Sequence, residues 1–149
     1  MYAYITSFRQ GLSEMDLVTH RVKLLHKWAD SLVELELTRR GADVTSVQAH
    51  ILVALLDIPA PPSQKALADA LGMDRMTTLD VVRRMETRGL VTRTRVGRES
   101  LVKLTDEGAA LAFRSRRALL AAQRAIREIL PGLEAGLASF GQATIDLDH

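Results

Sequence analysis

SQKALADALGMDRMTTLDVVRRMETRGLVTRTRVGRES, residues 63–100, is the stretch whose reading decides the fold. Ser63 can cap a short helix over QKALADAL, with Ala66, Leu67 and Leu71 inward and Gly72 at its end. Asp74 can then cap a second helix that Gly89 closes. With Thr78 at the centre of the buried face, about 100° per residue sets Val81, Val82 and Met85 beside it. Met76, Asp80 and Arg83 fall opposite, flanked by Leu79 on one side and by Thr77 and Arg84 on the other. Two helices joined through so short a turn have helix-turn-helix spacing.

The arginines that follow sharpen this reading. Thr92, Thr94, Val102 and Leu104 favour strand, so residues 92–95 and 100–104 are expected to pair as a hairpin. VGRE supplies the turn, with Gly97 free to take positive φ. A period of two puts Arg93 and Arg95 on one face, and Arg98 at the tip. A hairpin after a helix-turn-helix is a wing, and it brings cations to phosphates or into a minor groove. The bland alternative is an edge hairpin whose arginines guard against aggregation.

Charge points the same way. The chain of 149 residues carries a net charge of only +2, but residues 75–103 hold eight basic residues against three acidic ones. The window is therefore +5 and the rest of the chain −3. Such a basic patch is the electrostatic footprint of a nucleic-acid-binding segment. Apolar residues make up 47% of the chain, enough to build a core.

Outward from this segment the pattern is helical. Ser13 can cap a helix from about Glu14 to Arg39, with Leu17, Leu24, Leu25, Trp28, Leu32 and Leu35 at helical spacing and Gly41 as its stop. Residues 1–12 offer either a short helix or an arm. Thr45 and Gln48 form a capping box at the start of a helix whose expected inner face is Val47, Ile51, Leu52, Leu55 and Leu56. Pro59, Pro61 and Pro62 mark a stiff loop. Thr105 can cap a long helix with Leu111, Leu119, Ala122 and Ile126 in one stripe, broken at Pro131-Gly132. A last helix would carry Leu133, Leu137 and Phe140. The expected fold is mainly α with a small β-hairpin wing. It divides into an N-terminal helical part (1–43), a winged helix-turn-helix (44–104) and C-terminal helices (105–149). The outer helices have more apolar surface than one small winged domain needs, and a two-fold dimer built from them would bury it.

Several function classes are excluded or disfavoured. There are no cysteines, which removes disulfides, thiolate zinc sites and cysteine redox sensing. His20, His26, His50 and His149 show no metal-ligand spacing. No phosphate loop, nucleophile elbow or paired-acid motif occurs, so no catalytic residue, metal or cofactor is expected and the chain does not read as an enzyme. No apolar run approaches the roughly eighteen residues of a membrane span. MYAYITSFRQ lacks the features of a secretory signal, and a cytoplasmic location is expected.

LVKLTDEG at 101–108, the helix-turn-helix through Gly89-Leu90-Val91, and VTSVQAHILVAL at 44–55 together resemble the MarR family of bacterial transcription regulators. The resemblance implies a homodimer held by its N- and C-terminal helices, binding double-stranded DNA at a pseudo-palindromic operator. Two recognition helices about 34 Å apart would then meet successive major grooves. It places the helix at about 74–89 in the major groove, with the wing at about 92–104 on the backbone or in the minor groove. Arg75, Met76, Thr77, Leu79, Asp80 and Arg83 are its groove-facing candidates, with Arg84 beside them. Arg83 could read a guanine edge or grip phosphate, and Met76 and Leu79 could touch thymine methyls. Asp80 could accept from cytosine or hold Arg83 or Arg84. Ser63 and Gln64 could bond phosphate, and Arg93, Arg95 and Arg98 would supply the wing charges. The family's wing usually has an Asp-Arg pair before its second strand. Here those places read Val96-Gly97, and only Arg98 matches an arginine.

The resemblance further implies a repressor released by a small aromatic or anionic effector bound between the dimer helices and the winged region. Trp28, His26 and His50 are candidates to line that site, and Ala49 would leave room for a ligand. Each has a plainer reading: core packing for Trp28, surface positions for the histidines. The rival from another class is a winged-helix module that binds a protein without specific DNA binding, which Met76 and Leu79 would suit.

Overall fold

The computed structural model describes residues 14–139, with side chains described from residue 18 onward. Residues 1–12, Ser13, Phe140 and the Leu17 side chain, all named above, lie outside that description. The elements in chain order are α1 (Glu14–Arg39), α2 (Ser46–Asp57), α3 (Gln64–Leu71), α4 (Arg75–Thr87), β1 (Val91–Val96), β2 (Glu99–Leu104) and α5 (Asp106–Ile129). Residues 133–139 are helical as well.

Local chemistry sets most of the boundaries. At α2, the Gln48 N–H donates to Thr45 Oγ1 at 3.3 Å, and the Thr45 N–H donates back to Gln48 Oε1 at 3.2 Å. Ser63 Oγ accepts from the Ala66 N–H, Asp74 Oδ1 from the Thr77 N–H, and Thr105 Oγ1 from the Gly108 N–H. Each of these caps satisfies a backbone donor that the first turn of a helix leaves orphaned. Gly72 ends α3 at φ 60° and Gly89 follows α4 at φ 73°, conformations that cost a residue with a Cβ.

α2 is the centre of the molecule. It packs on α1, α3, α4, α5 and β2, and Ile51 and Leu52 are fully buried. Around them close Leu37 of α1, Leu67 of α3, Val82 and Met85 of α4, Leu90, Val91 and Val102 at the hairpin, and Leu111 and Ala112 of α5. Full burial of each large aliphatic side chain contributes about 1.5–3 kcal/mol. Two expected inward positions differ. Val47 faces out, and Gln48 and Ala49 take the inner places of that turn. Ala66 is exposed, whereas Ala68 is buried.

β1 and β2 pair antiparallel, from Val91 opposite Leu104 to Val96 opposite Glu99. Each strand is longer at the turn than the composition suggests, leaving a two-residue loop, Gly97-Arg98. Gly97 has φ 60° and Arg98 does not have positive φ, the φ pattern of a type II′ turn. The base of the hairpin is pinned twice. The Val102 N–H donates to Pro62 O at 2.9 Å, and Ser63 forms an isolated bridge with Leu101. Behind it, the start of α5 abuts the α4–β1 corner. The Thr105 N–H donates to Leu90 O, Thr105 Oγ1 donates to Gly89 O at 2.6 Å, and a Cβ on Gly108 would sit 1.9 Å from Leu90 O.

Candidate nucleic-acid interface

α4 presents two unlike faces. Thr78, Val82 and Met85 are buried, and the Thr78 hydroxyl donates to Asp74 O, so its polar atom is satisfied in the core. Arg75, Met76, Thr77, Asp80, Arg83 and Arg84 are exposed, with Leu79 half-buried at the edge. Met76 is 71% exposed, the largest value among the exposed large hydrophobic residues described. Asp74 anchors the outer face at its start. Hydrogen bonds from the Thr77 N–H and hydroxyl hold its carboxyl below the ordinary range, so it is ionised at the positive end of the helix.

The eight cations of the basic window divide into two groups. Arg84 pairs with Asp80 at 2.7 Å, one of the alternatives left open for that acid. Arg88 donates to Asp43 O at 2.7 Å and to Gln48 Oε1 at 3.4 Å, tying the end of α4 to the α1–α2 corner. Arg93 pairs with Glu86 at 2.6 Å. Arg75, Arg83, Arg95, Arg98 and Lys103 are all exposed, and none lies within ion-pair distance of a described carboxylate. Arg95 makes a long contact of 3.4 Å from Nε to Gly97 O, near the tip.

Three residues named from sequence have side-chain atoms engaged or buried. Arg93 shares a strand face with Arg95 but is half-buried against α4. Ser63 uses its hydroxyl as the α3 cap, and Gln64 has a buried Nε2 without a hydrogen-bond partner among the described residues. Arg88 was not singled out, although it lies in the basic window. Its partner Asp43 stands 45 residues away, so no local pattern exposes its role.

A second feature is a cleft of about 770 Å³ between α1, α5 and residues 130–137. Leu25, Val33, Leu119, Ile126 and Leu133 form much of its apolar wall, and His26, Asp30 and His50 stand on its polar side. His26 Nε2 lies 3.3 Å from Asp30 Oδ2, the Ser46 hydroxyl donates to Asp30 Oδ1, and His50 Nδ1 donates to Ser46 O at 2.7 Å. Trp28 does not line this cleft, and Ala49 is fully buried in the core. Among the described residues no cluster of His, Asp and Glu could hold a metal ion, and no helix is long and apolar enough to cross a membrane.

A capped helix pair, a two-stranded wing and a basic outer face define a winged helix-turn-helix protein. Residues 42–99 match the model of the MarR family. No curated protein sequence matched the chain. Solved structures share the fold over most of its length. PcaV of Streptomyces coelicolor, in complex with its natural ligand, is 26% identical, with a TM-score of 0.68 over 93% of this chain and 100% of that one. CouR of Rhodococcus jostii RHA1, bound to p-coumaroyl-CoA, is 22% identical with a TM-score of 0.68, covering 86% and 90%. MepR of S. aureus in a DNA complex is 17% identical with a TM-score of 0.71, covering 88% and 97%. Residues 42–99 thus carry the likeness to the MarR family, and the chain has the fold of the MarR-family transcriptional regulators it resembles.

Proposed function

We propose that this protein is a homodimeric DNA-binding transcriptional regulator, a repressor released by a small-molecule effector. The observation that carries the DNA reading is the set of five exposed cations without carboxylate partners along α4 and the wing. α4 enters the major groove, where Arg83 contacts a guanine edge or phosphate and Met76 a thymine methyl. Arg75 flanks it, and Thr77, Leu79 and Asp80 border the groove. Asp80 serves there to hold Arg84. Arg95 and Arg98 extend the contact to the neighbouring backbone or minor groove. Ser63 and Gln64 contribute through the backbone at the start of α3 rather than through side chains already engaged or buried.

The dimer rests on apolar side chains that the single chain leaves exposed: Val18, Val22 and Leu24 on α1, and Phe113, Leu120 and Ile129 on α5. A second copy covering them divides the molecule into the three parts expected from sequence, with residues 44–104 facing DNA. The cleft beside His26 and His50 suits a small aromatic or anionic effector, with an apolar body against the leucines and a polar group at the imidazoles. Its neighbours bear on this: PcaV was seen with its natural ligand, and CouR with p-coumaroyl-CoA. The same reading makes the protein cytoplasmic and not an enzyme.

Exposed Met76 and Val96 favour the second reading, a module that binds a protein partner. Salt separates the two. With six to ten phosphates contacted per dimer, DNA affinity falls about 10³–10⁵-fold between 50 and 200 mM salt. Gel-shift or anisotropy measurements on duplexes across that range check this. Affinity for duplex that is weak and indifferent to salt would favour the protein-binding reading. Sedimentation of the purified chain tests the dimer.

A further inference from the structure

Arg93 differs from the other wing arginines in what holds it. Its backbone N–H donates to Glu86 Oε1 at 3.1 Å, and its Nε donates to Glu86 Oε2 at 2.7 Å. Nη2 of the same guanidinium lies 2.6 Å from Oε2. One carboxylate thus grips both the main chain of β1 and the side chain that β1 carries. The two side chains are 25% and 35% exposed, so the pair is shielded more than the Asp80–Arg84 pair on the open face of α4. Partial burial and a fork-like grip make such a pair stronger than an exposed one.

The position of the pair matters as much as its strength. β2 is anchored at its base to Pro62 and Ser63, on the α3 side. β1 is anchored to α4 through Glu86. Buried Val91 and Val102 and the Thr105 bonds at the corner hold the root of the ribbon, and Glu86 adds a grip on β1 from the α4 side that sets its angle. Among the described residues no other ion pair involves the hairpin, so Glu86–Arg93 is its one electrostatic brace there.

Building on the DNA-binding reading, we infer that Glu86 and Arg93 are a positioning pair: Glu86 sets the angle of the wing against the recognition helix so that Arg95 and Arg98 reach the backbone, and Arg93 itself makes no phosphate contact.

This has a consequence of unusual sign. Removing an acid beside a DNA-binding surface ordinarily tightens binding, because DNA is a polyanion. Here Glu86→Gln is expected to weaken binding of the full-length protein to a random-sequence duplex by about 3–10-fold. Glu86→Arg, which adds a cation, is expected to weaken it too. Combining Glu86→Arg with Arg93→Glu restores the side-chain pair in reverse, but not the acceptor for the residue-93 N–H, and recovers part of the loss. Tighter binding by Glu86→Gln or Glu86→Arg, with a salt slope steeper by about one per protomer, would show Arg93 released to phosphate and overturn the inference. So would no gain at all from the charge swap over Glu86→Arg alone, when circular dichroism shows both folded.

The wing angle can be read without DNA. The chain has no cysteine, so spin labels at Thr87→Cys and Val96→Cys attach nowhere else. In mixed dimers with both labels on one protomer and none on its partner, the inference expects one narrow distance distribution, broadened by Glu86→Gln and partly narrowed again by the swap. A distribution unchanged by Glu86→Gln would contradict it. If the labels behave as expected but the wild-type protein binds no duplex, the brace stands and the DNA-binding reading fails.

Discussion

The base and the tip of the wing use the same residue type for opposite ends. Arg93 and Arg95 lie two residues apart on one strand face. Arg93 is within reach of α4 and spends its donors on Glu86, while Arg95 and Arg98 lie beyond any described carboxylate. Position along a short ribbon thus decides whether an arginine is a brace or a free charge. The same division runs along α4, where Arg84 and Arg88 are engaged and Arg75 and Arg83 are not. Net charge does not say which of them are free, and only Arg75, Arg83, Arg95, Arg98 and Lys103 in the window lack a described carboxylate partner.

The largest effect should come from breaking the support beneath the base. Gly108→Ala drives a Cβ against Leu90 O, a backbone atom that cannot turn aside. Overpacking of this kind costs about 1–3 kcal/mol, and a backbone collision should lie at or above the top of that range. For a chain of this size each kcal/mol lowers Tm by about 2–4 °C. Calorimetry of the variant checks it. DNA affinity should fall as well, because the corner carrying β1 moves.

Asp74→Ala comes next. It removes the α4 cap and an anion at the positive helix end, and should lower stability less than Gly108→Ala does. Chemical denaturation should show the loss, with Asp74→Asn much closer to wild type.

Acid provides a graded version of the same test. The Arg93 guanidinium, through its hydrogen bond, holds Glu86 below the ordinary glutamate range. A depressed carboxylate contributes stability that is fully present above its unfolded pKa, about 4.3, and is lost as pH falls through the lower folded value. Stability measured from pH 7 to pH 3 should therefore fall less steeply in Glu86→Gln than in wild type. Equal slopes would mean that the brace contributes nothing to folding.

At the tip, Arg95→Gln and Arg98→Gln should leave stability within about 0.5 kcal/mol of wild type, since neither has a charged partner to lose. Each should reduce the salt slope of duplex binding by about one per protomer, measured by titration at several salt concentrations. A small change in stability is expected for Asp80→Asn as well. Its pair with Arg84 is exposed on both sides and contributes at most about 1 kcal/mol. DNA binding should tighten, because an anion leaves the groove-facing surface and Arg84 is freed. Asp80 and Glu86 are both acids on α4, yet their removal should move DNA affinity in opposite directions.

Much of the fold was legible because its punctuation is local. A cap and its N–H partner lie three residues apart, as at Thr45, Ser63, Asp74 and Thr105, and Gly72, Gly89 and Gly97 mark left-handed turns at the points where helices or strands must end. The two faces of α4 follow from helical period alone. The site was less legible because its sorting is not local. Glu86 meets Arg93 only because the chain reverses at Gly89-Leu90, and Arg88 meets Asp43 only after α4 has packed on α2. Gln64 looks like a surface amide in sequence, but its Nε2 is buried. His26 and His50 come from different helices to one cleft, while Trp28, two residues from His26, does not line it, since adjacent helical positions point in different directions.

The central claim is that the outer face of α4 and the wing tip bind duplex DNA. Its most direct test is the affinity of the wild-type protein for the duplex upstream of its own coding sequence, against a random duplex, from 50 to 200 mM salt, with an Arg83→Ala, Arg95→Ala double variant alongside. The account predicts preference for the upstream duplex and a steep salt slope that flattens in the variant. Weak binding, equal on both duplexes and unchanged by removing both arginines, would contradict it.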